Sequence, residues 1–251
     1  MTNDYLDHVE CPDYVGKCSD NLAVFKIIFT FTADIYFMEQ QQSTLPKNAI
    51  VIDVDFFNKS LPNLKNFLSN QMKRDMPDMD LAYFCAQLGL MMGVSATAPE
   101  EFMVILISDN ALARLADCSP SAVADIDNRA TDVGCWRFNF CSFNSAGMSF
   151  GADRIFEIVD VVFCKEEIER VFLVPDETLL PPPYVHKYLE IMKNYFGAEK
   201  FKNKSFCMGG LQEASRFQHL DGLPYVNLTI ALSLGMGLSE QEILMLKNST
   251  N

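Results

Sequence analysis

Ala49-Ile50-Val51-Ile52-Asp53-Val54-Asp55-Phe56-Phe57 is the stretch that decides the fold. Apolar, mostly β-branched residues run straight into two carboxylates one residue apart. Such a run reads as a strand buried on both faces and ending in acids at its C-terminal edge. By the period-two alternation of a strand, Asp53 and Asp55 point to the same side. In open α/β sheets ligands bind outside the carboxyl ends of the strands, so the expected site lies here.

Working outward, Leu61, Leu64, Leu68 and Met72 recur at helical spacing and predict an amphipathic helix over 60–73. Asp78 or Asp80 can cap a second helix that buries Leu81, Phe84, Cys85 and Leu88. Phe102 to Ile107 reads as a second buried strand, followed by Ser108-Asp109-Asn110. A short helical stretch is expected over 119–128, and the alternation from Trp136 to Phe143 predicts a third strand. Gly147 to Gly151 reads as a turn, after which Asp153 can cap a helix carrying Ile155, Phe156, Val159, Val162 and Phe163. The fourth strand is Arg170 to Val174, ending at Pro175-Asp176-Glu177. Val185, Tyr188, Leu189, Met192 and Phe196 define a further helix, and 204–208 a fifth strand. The end is helical over 225–234, followed by a capping-box pattern at Ser239-x-x-Glu242.

Strands alternating with helices imply right-handed crossovers and an α/β fold: a three-layer, mostly parallel sheet with helices on both faces. The length of 251 residues suits one such domain with additions. We expect it over 45–247, with 1–44 a loosely attached N-terminal extension or a mis-assigned start. Leu22 to Phe37 is apolar, but Lys26 and Asp34 interrupt it, which makes a poor membrane span; no membrane association is expected. The eight cysteines form no Cys-x-x-Cys pair and sit mostly in apolar segments, as reduced thiols in a cytoplasmic protein do.

The balance of 20 basic against 33 acidic residues gives a net charge of −13. That argues against a broad nucleic-acid-binding face, which needs clustered Lys and Arg, and leaves room only for a local groove. Lys187, Lys193, Lys200, Lys202 and Lys204 form the basic-rich stretch, read as a solvated helix end and loop. Phe56, Phe57, Trp136 and Phe138 read as core in preference to a base-stacking platform. The sequence carries no signature of a partner or of an oligomeric state.

With parallel strands the candidate acids share one edge. Asp53 and Asp55 follow the first strand, Asp109 the second and Asp176 the fourth, while Asp153 opens the helix after the third. Carboxylates gathered in a small volume repel one another unless protons or a cation neutralise them. Oxygen-only clusters suit Mg²⁺ or Mn²⁺, which can activate water for attack on a phosphodiester. Taken singly, each Asp is more often a turn former or helix cap than a ligand.

Two known patterns share this layout. The order of strands, helices and acids resembles the PIN/NYN group of metal-dependent ribonucleases, a Rossmann-like fold. That resemblance implies metal ligation by Asp53, Asp153 and Asp176, with Asp55 and Asp109 as helpers. The Asp53-Val54-Asp55 motif also resembles the haloacid dehalogenase-like phosphatases. This implies Asp53 as nucleophile and Asp55 as acid/base, with Ser108, and Lys165 ahead of Asp176, completing the set. Over about Ala49 to Leu246 the chain further resembles an uncharacterised family of Bacteroidales proteins. That likeness rests on the first two strands, on Arg114-Leu115-Ala116-Asp117-Cys118-Ser119-Pro120 and on Leu232-Ser233-Leu234-Gly235-Met236-Gly237-Leu238. It implies a domain of unknown function and no mechanism. The expected function is a metal-dependent PIN/NYN-like phosphodiesterase or its degenerate relative. The alternatives are the phosphatase and a non-catalytic α/β interaction module.

Overall fold

The computed structural model describes residues 45–110, 113–146, 153–176, 178, 188, 190, 194, 204–211 and 224–249. The extension expected over 1–44, the turn at Gly147–Gly151 and most of the helix expected over 185–196 lie outside these residues.

The opening stretch divides at Asp53. Strand β1 is Asn48–Asp53, all six residues buried, and helix α1 follows without a break over Val54–Met72. Asp53 is the N-cap: its Oδ1 accepts the Asp55 N–H at 3.0 Å, satisfying one of the donors that a helix start leaves unpaired. Asp55 therefore sits in the first turn of a helix, and the expectation that it shares a strand face with Asp53 is wrong. The helical period was present all along: Val54, Phe57, Leu61, Leu64 and Leu68 step by three or four, and all are buried. The β-branched and aromatic residues at 54–57 disguised it by favouring strand locally. The expected helix over 60–73 accordingly begins six residues earlier.

A two-residue ladder pairs β2 (Met79–Asp80) with β4 (Cys118–Ser119). Between them lie helix α2 (Leu81–Met91), capped by Asp80 Oδ1 at 2.9 Å from the Tyr83 N–H, and strand β3 (Glu100–Ser108). The helical stretch expected over 119–128 is a single 3-10 turn at Val123–Asp125. Next comes a strand that the sequence did not announce, β5 (Arg129–Val133), whose side chains are almost all exposed and so carry no alternation. It pairs antiparallel with β6 (Trp136–Asn144). Helix α3 (Asp153–Cys164), strand β7 (Arg170–Val174), strand β8 (Ser205–Gly210) and strand β9 (Tyr225–Asn227) follow. Helices α4 (Thr229–Gly235) and α5 (Glu240–Ser249) end the described chain. The helix expected over 225–234 thus yields its first three residues to β9, and Asn227 Oδ1 accepts the Thr229 N–H at 2.9 Å where α4 starts. The Ser239–Glu242 capping box forms as read, with reciprocal bonds of 2.8 and 3.3 Å.

The main sheet runs β5-β6-β3-β1-β7-β8-β9 and every pairing except β5–β6 is parallel. From the central β1, the chain builds outward first through β3 and β6, then returns to the other side of β1 to lay down β7, β8 and β9. The direction of growth reverses between β1 and β7.

Both faces are covered. Ile50, Ile52, Phe102, Val104, Leu106 and Phe172 face one core with α1, α2 and α4. The alternate residues Val51, Met103, Ile105, Ile107, Val171 and Leu173 are buried too, and α3 packs on β1 with Ile155, Val159, Val162 and Phe163 fully inside. Burying each such side chain contributes roughly 1.5–3 kcal/mol. The first core is tight: a Cβ on Gly89 of α2 would lie 2.8 Å from the Trp136 ring and 2.9 Å from Phe102. Among the described residues no helix is long and apolar enough to cross a membrane.

Candidate functional site

Because β1 and β7 are parallel neighbours, Asp53 at the end of one and Asp176 just beyond the other share the carboxyl edge of the sheet. Strand order reverses between β1 and β7, and in open α/β sheets it is at such a reversal, outside the carboxyl ends of the strands, that ligands bind. Helix α1 departs from this point and carries Asp55 and Lys59 one turn apart, an acid-before-base i,i+4 spacing that also suits the helix dipole.

Lys59 is the centre of the arrangement. Its Nζ pairs with Asp176 Oδ2 and lies 3.5 Å from Thr178 Oγ1. The hydrogen bond to Asp176, with the further charges of Asp176, Asp55 and Asp53, raises the lysine pKa. Asp176 offers Oδ1 to the Thr178 hydroxyl at 2.8 Å and to the Thr178 N–H at 3.1 Å. Its side chain is 3% exposed against 50% for Lys59. Burial pushes the Asp176 carboxyl up, and the hydrogen bonds from Lys59 and Thr178 together outweigh it. The net pKa falls below the ordinary carboxylate value. Asp176 is thus a buried carboxylate held ionised by a cation that reaches in from solvent.

The sequence-predicted acids divide accordingly. Asp176 pairs directly with Lys59, while Asp55 and Asp53 add their charges at the lysine more weakly. Asp53 is buried, with Oδ1 committed to the helix cap, and Asp55 is half-buried. Asp109 is exposed one residue beyond β3, where Ser108 closes the turn with its hydroxyl bonded to both the carbonyl and the N–H of Asn110. Asp153 is the first residue of α3, and its side chain lies outside the described residues.

Among the described residues, no three His, Cys, Asp or Glu side chains are grouped to hold a metal ion. Both Asp176 oxygens already accept hydrogen bonds, and Asp53 serves a backbone donor. This described donor set does not fit Mg²⁺ or Mn²⁺, which need free oxygens converging at 2.0–2.2 Å (roughly). The phosphatase pattern meets a different obstacle. Lys165 follows the last residue of α3 and its carbonyl accepts from Lys204, immediately before β8 begins. That is the amino edge of the sheet, opposite Asp176. Lys204 itself is buried on the carbonyls of Phe163 and Lys165, so the end of the basic stretch is not solvated as expected.

A model of a family of unknown function, DUF6621, matches residues 42–236. The chain belongs to this family. The matched span includes every strand of the sheet and, with β1, α1 and β7, the cluster around Lys59. No curated protein and no solved structure matches the chain.

Lys59 was missed by the sequence reading. Its signal, Asp55-x-x-x-Lys59 on one helical face, is visible only once the helix is known to start at Val54. The Arg114–Pro120 motif also finds a local role. The Ala116 N–H bonds Asn58 Oδ1 at 2.8 Å and Asp117 accepts from Lys65 at 3.0 Å. The motif therefore braces α1 on either side of the turn that carries Lys59.

Proposed function

We propose that this chain is a Rossmann-like, PIN/NYN-like α/β module, a degenerate relative of the metal-dependent phosphodiesterases that binds a ligand at its carboxyl edge without hydrolysing it. The observation that carries this reading is the Lys59–Asp176–Thr178 constellation at the carboxyl edge shared by β1 and β7. Asp53 and Asp176 stand at the ends of neighbouring parallel strands, the positions that the PIN/NYN resemblance implies for two of its acids, and Lys59 supplies the positive charge beside Asp176. Supporting it, the parallel strands fall in the order 3-2-1-4-5-6 by sequence, the doubly wound order of dinucleotide-binding folds, with ligands bound where that order reverses. The half-exposed Lys59, the Thr178 hydroxyl and the half-buried Asp55 give this edge both donors and acceptors, suited to a polar ligand.

The test is hydrolysis. Wild-type protein with single-stranded RNA and millimolar Mn²⁺ is expected to cleave no faster than an Asp53→Asn/Asp176→Asn variant. Metal-dependent cleavage that disappears in the variant would return the protein to the nucleases. A beryllofluoride adduct trapped on Asp53 would instead select the phosphatase.

A further inference from the structure

We infer that Asn58 is the positioning residue of this edge: gripped by the Arg114–Pro120 segment from outside α1, it sets where Lys59 stands. This rests on the reading above, in which Lys59 meets the ligand, and deepens it by saying what holds the lysine in place. Pro62 lies inside α1. A proline within a helix has no N–H to give to the carbonyl four residues back, and its ring crowds that carbonyl. The residue four back is Asn58. The turn weakened in this way, from Asn58 to Pro62, is the one that carries Lys59.

The bond that α1 lacks within itself is matched by one from another element. Asn58 Oδ1 accepts the Ala116 N–H at 2.8 Å. The segment that donates it is itself anchored. Leu115 and Cys118 are buried in the core, the Leu115 N–H bonds the Ser121 carbonyl at 2.8 Å, and the Asp117 carbonyl accepts the Met79 N–H at 2.7 Å. Beyond the proline, Lys65 donates to Asp117 Oδ1 at 3.0 Å. One rigid segment therefore grips α1 on both sides of Pro62. Without the grip at Asn58, Lys59 keeps its charge and loses its place beside Asp176 Oδ2.

The experiment follows the Asp176 carboxyl carbon by NMR titration and the α1 amides by hydrogen exchange, using the full chain. It compares wild type, Asn58→Ala, Pro62→Ala, Asn58→Ala/Pro62→Ala and Lys59→Met. Asn58 is exposed, so its alanine variant is expected to fold. In that variant the Asp176 midpoint moves up toward that of Lys59→Met, because the lysine that lowers it has shifted. The other charges felt by Lys59, on Asp53 and Asp55, are the same throughout, so the titration reports the position of the lysine. Amides over 55–61 exchange about fivefold faster, the loss of one hydrogen bond, while those over 63–72 do not change. Pro62→Ala returns the missing N–H, so the double variant titrates and exchanges like wild type. An Asn58→Ala protein whose Asp176 midpoint stays at the wild-type value overturns the inference, as does a double variant shifted as far as the single one. RNA cleavage by wild type sinks the preceding reading and leaves the grip on Asn58 standing, so the two failures are distinct.

Discussion

Asp176 and Asp160 are both largely buried carboxyls, yet their surroundings push them in opposite directions. Asp176, beyond β7, has Lys59 and Thr178 and stays ionised below the ordinary range. Asp160, on α3, has the Tyr188 hydroxyl at 2.6 Å, while Glu157 one turn earlier adds like charge. Among the described residues no cation pairs with it. Burial raises its pKa to about 6, opposed by the Tyr188 hydrogen bond and reinforced by Glu157. Desolvation acts on both groups, and the Lys59 ammonium together with the two Thr178 hydrogen bonds reverses its effect at Asp176. The carboxyl at the carboxyl edge of the sheet stays charged further into acid than an ordinary carboxylate, and the one on the flanking helix takes up its proton near pH 6.

The comparison can be broken most forcefully at Lys59. Removing one partner of a buried pair costs roughly 3–5 kcal/mol, and the half-exposed lysine reduces this for Lys59→Met to about 2–3 kcal/mol at neutral pH. Because the folded Asp176 pKa is depressed, this stability is present above the unfolded carboxylate value and fades as pH falls through the folded one. Urea denaturation of wild type and Lys59→Met should therefore converge in acid. Asp160 has the opposite sign. Its raised pKa means that stability is full in acid and is lost as pH rises through about 6. Asp160→Asn is expected to gain about 1–2 kcal/mol at pH 8, since the shift caps the gain and the charge-assisted Tyr188 bond is forfeited. At low pH the gain should vanish.

Smaller effects sharpen what the other acids do. Asp53→Ala should cost about 1 kcal/mol through loss of the α1 cap, whereas Asp53→Asn, an equally good capping residue, should cost only a few tenths. A large loss in the Asn variant would mean that the charge of Asp53, and not its oxygen, supports the fold. Asp109→Asn, at an exposed position, should stay within about 0.5 kcal/mol of wild type in the same denaturation measurement.

How far the sequence carried these conclusions depends on the kind of signal. β1, β3, β6 and β7 were legible because strands buried on both faces must be continuously apolar, or alternate with large aromatics, and their ends are marked by polar residues. β5 was not, since an exposed edge strand such as Arg129–Val133 has no buried face to pattern. β9 was hidden because it is three residues long and only Leu228 separates it from α4, so Tyr225 and Val226 read as part of the helical pattern. At the site, the acids Asp53 and Asp176 were legible from their strand ends. Their cation was not: Lys59 lies 117 residues from Asp176, and only the β1–β7 pairing joins them. The boundary at Asp53 mattered most, because moving it by a few residues converts an acidic strand pair into a cap and a helix that bears a lysine.

A charge carried on the chain differs from a charge borrowed from solution. A bound ion stabilises a protein in proportion to the logarithm of its free concentration over its dissociation constant. Lys59 has no dissociation constant and no free pool. The charge that Lys59 brings to Asp176 is therefore drawn from no pool in solution and is in place as soon as the polypeptide folds.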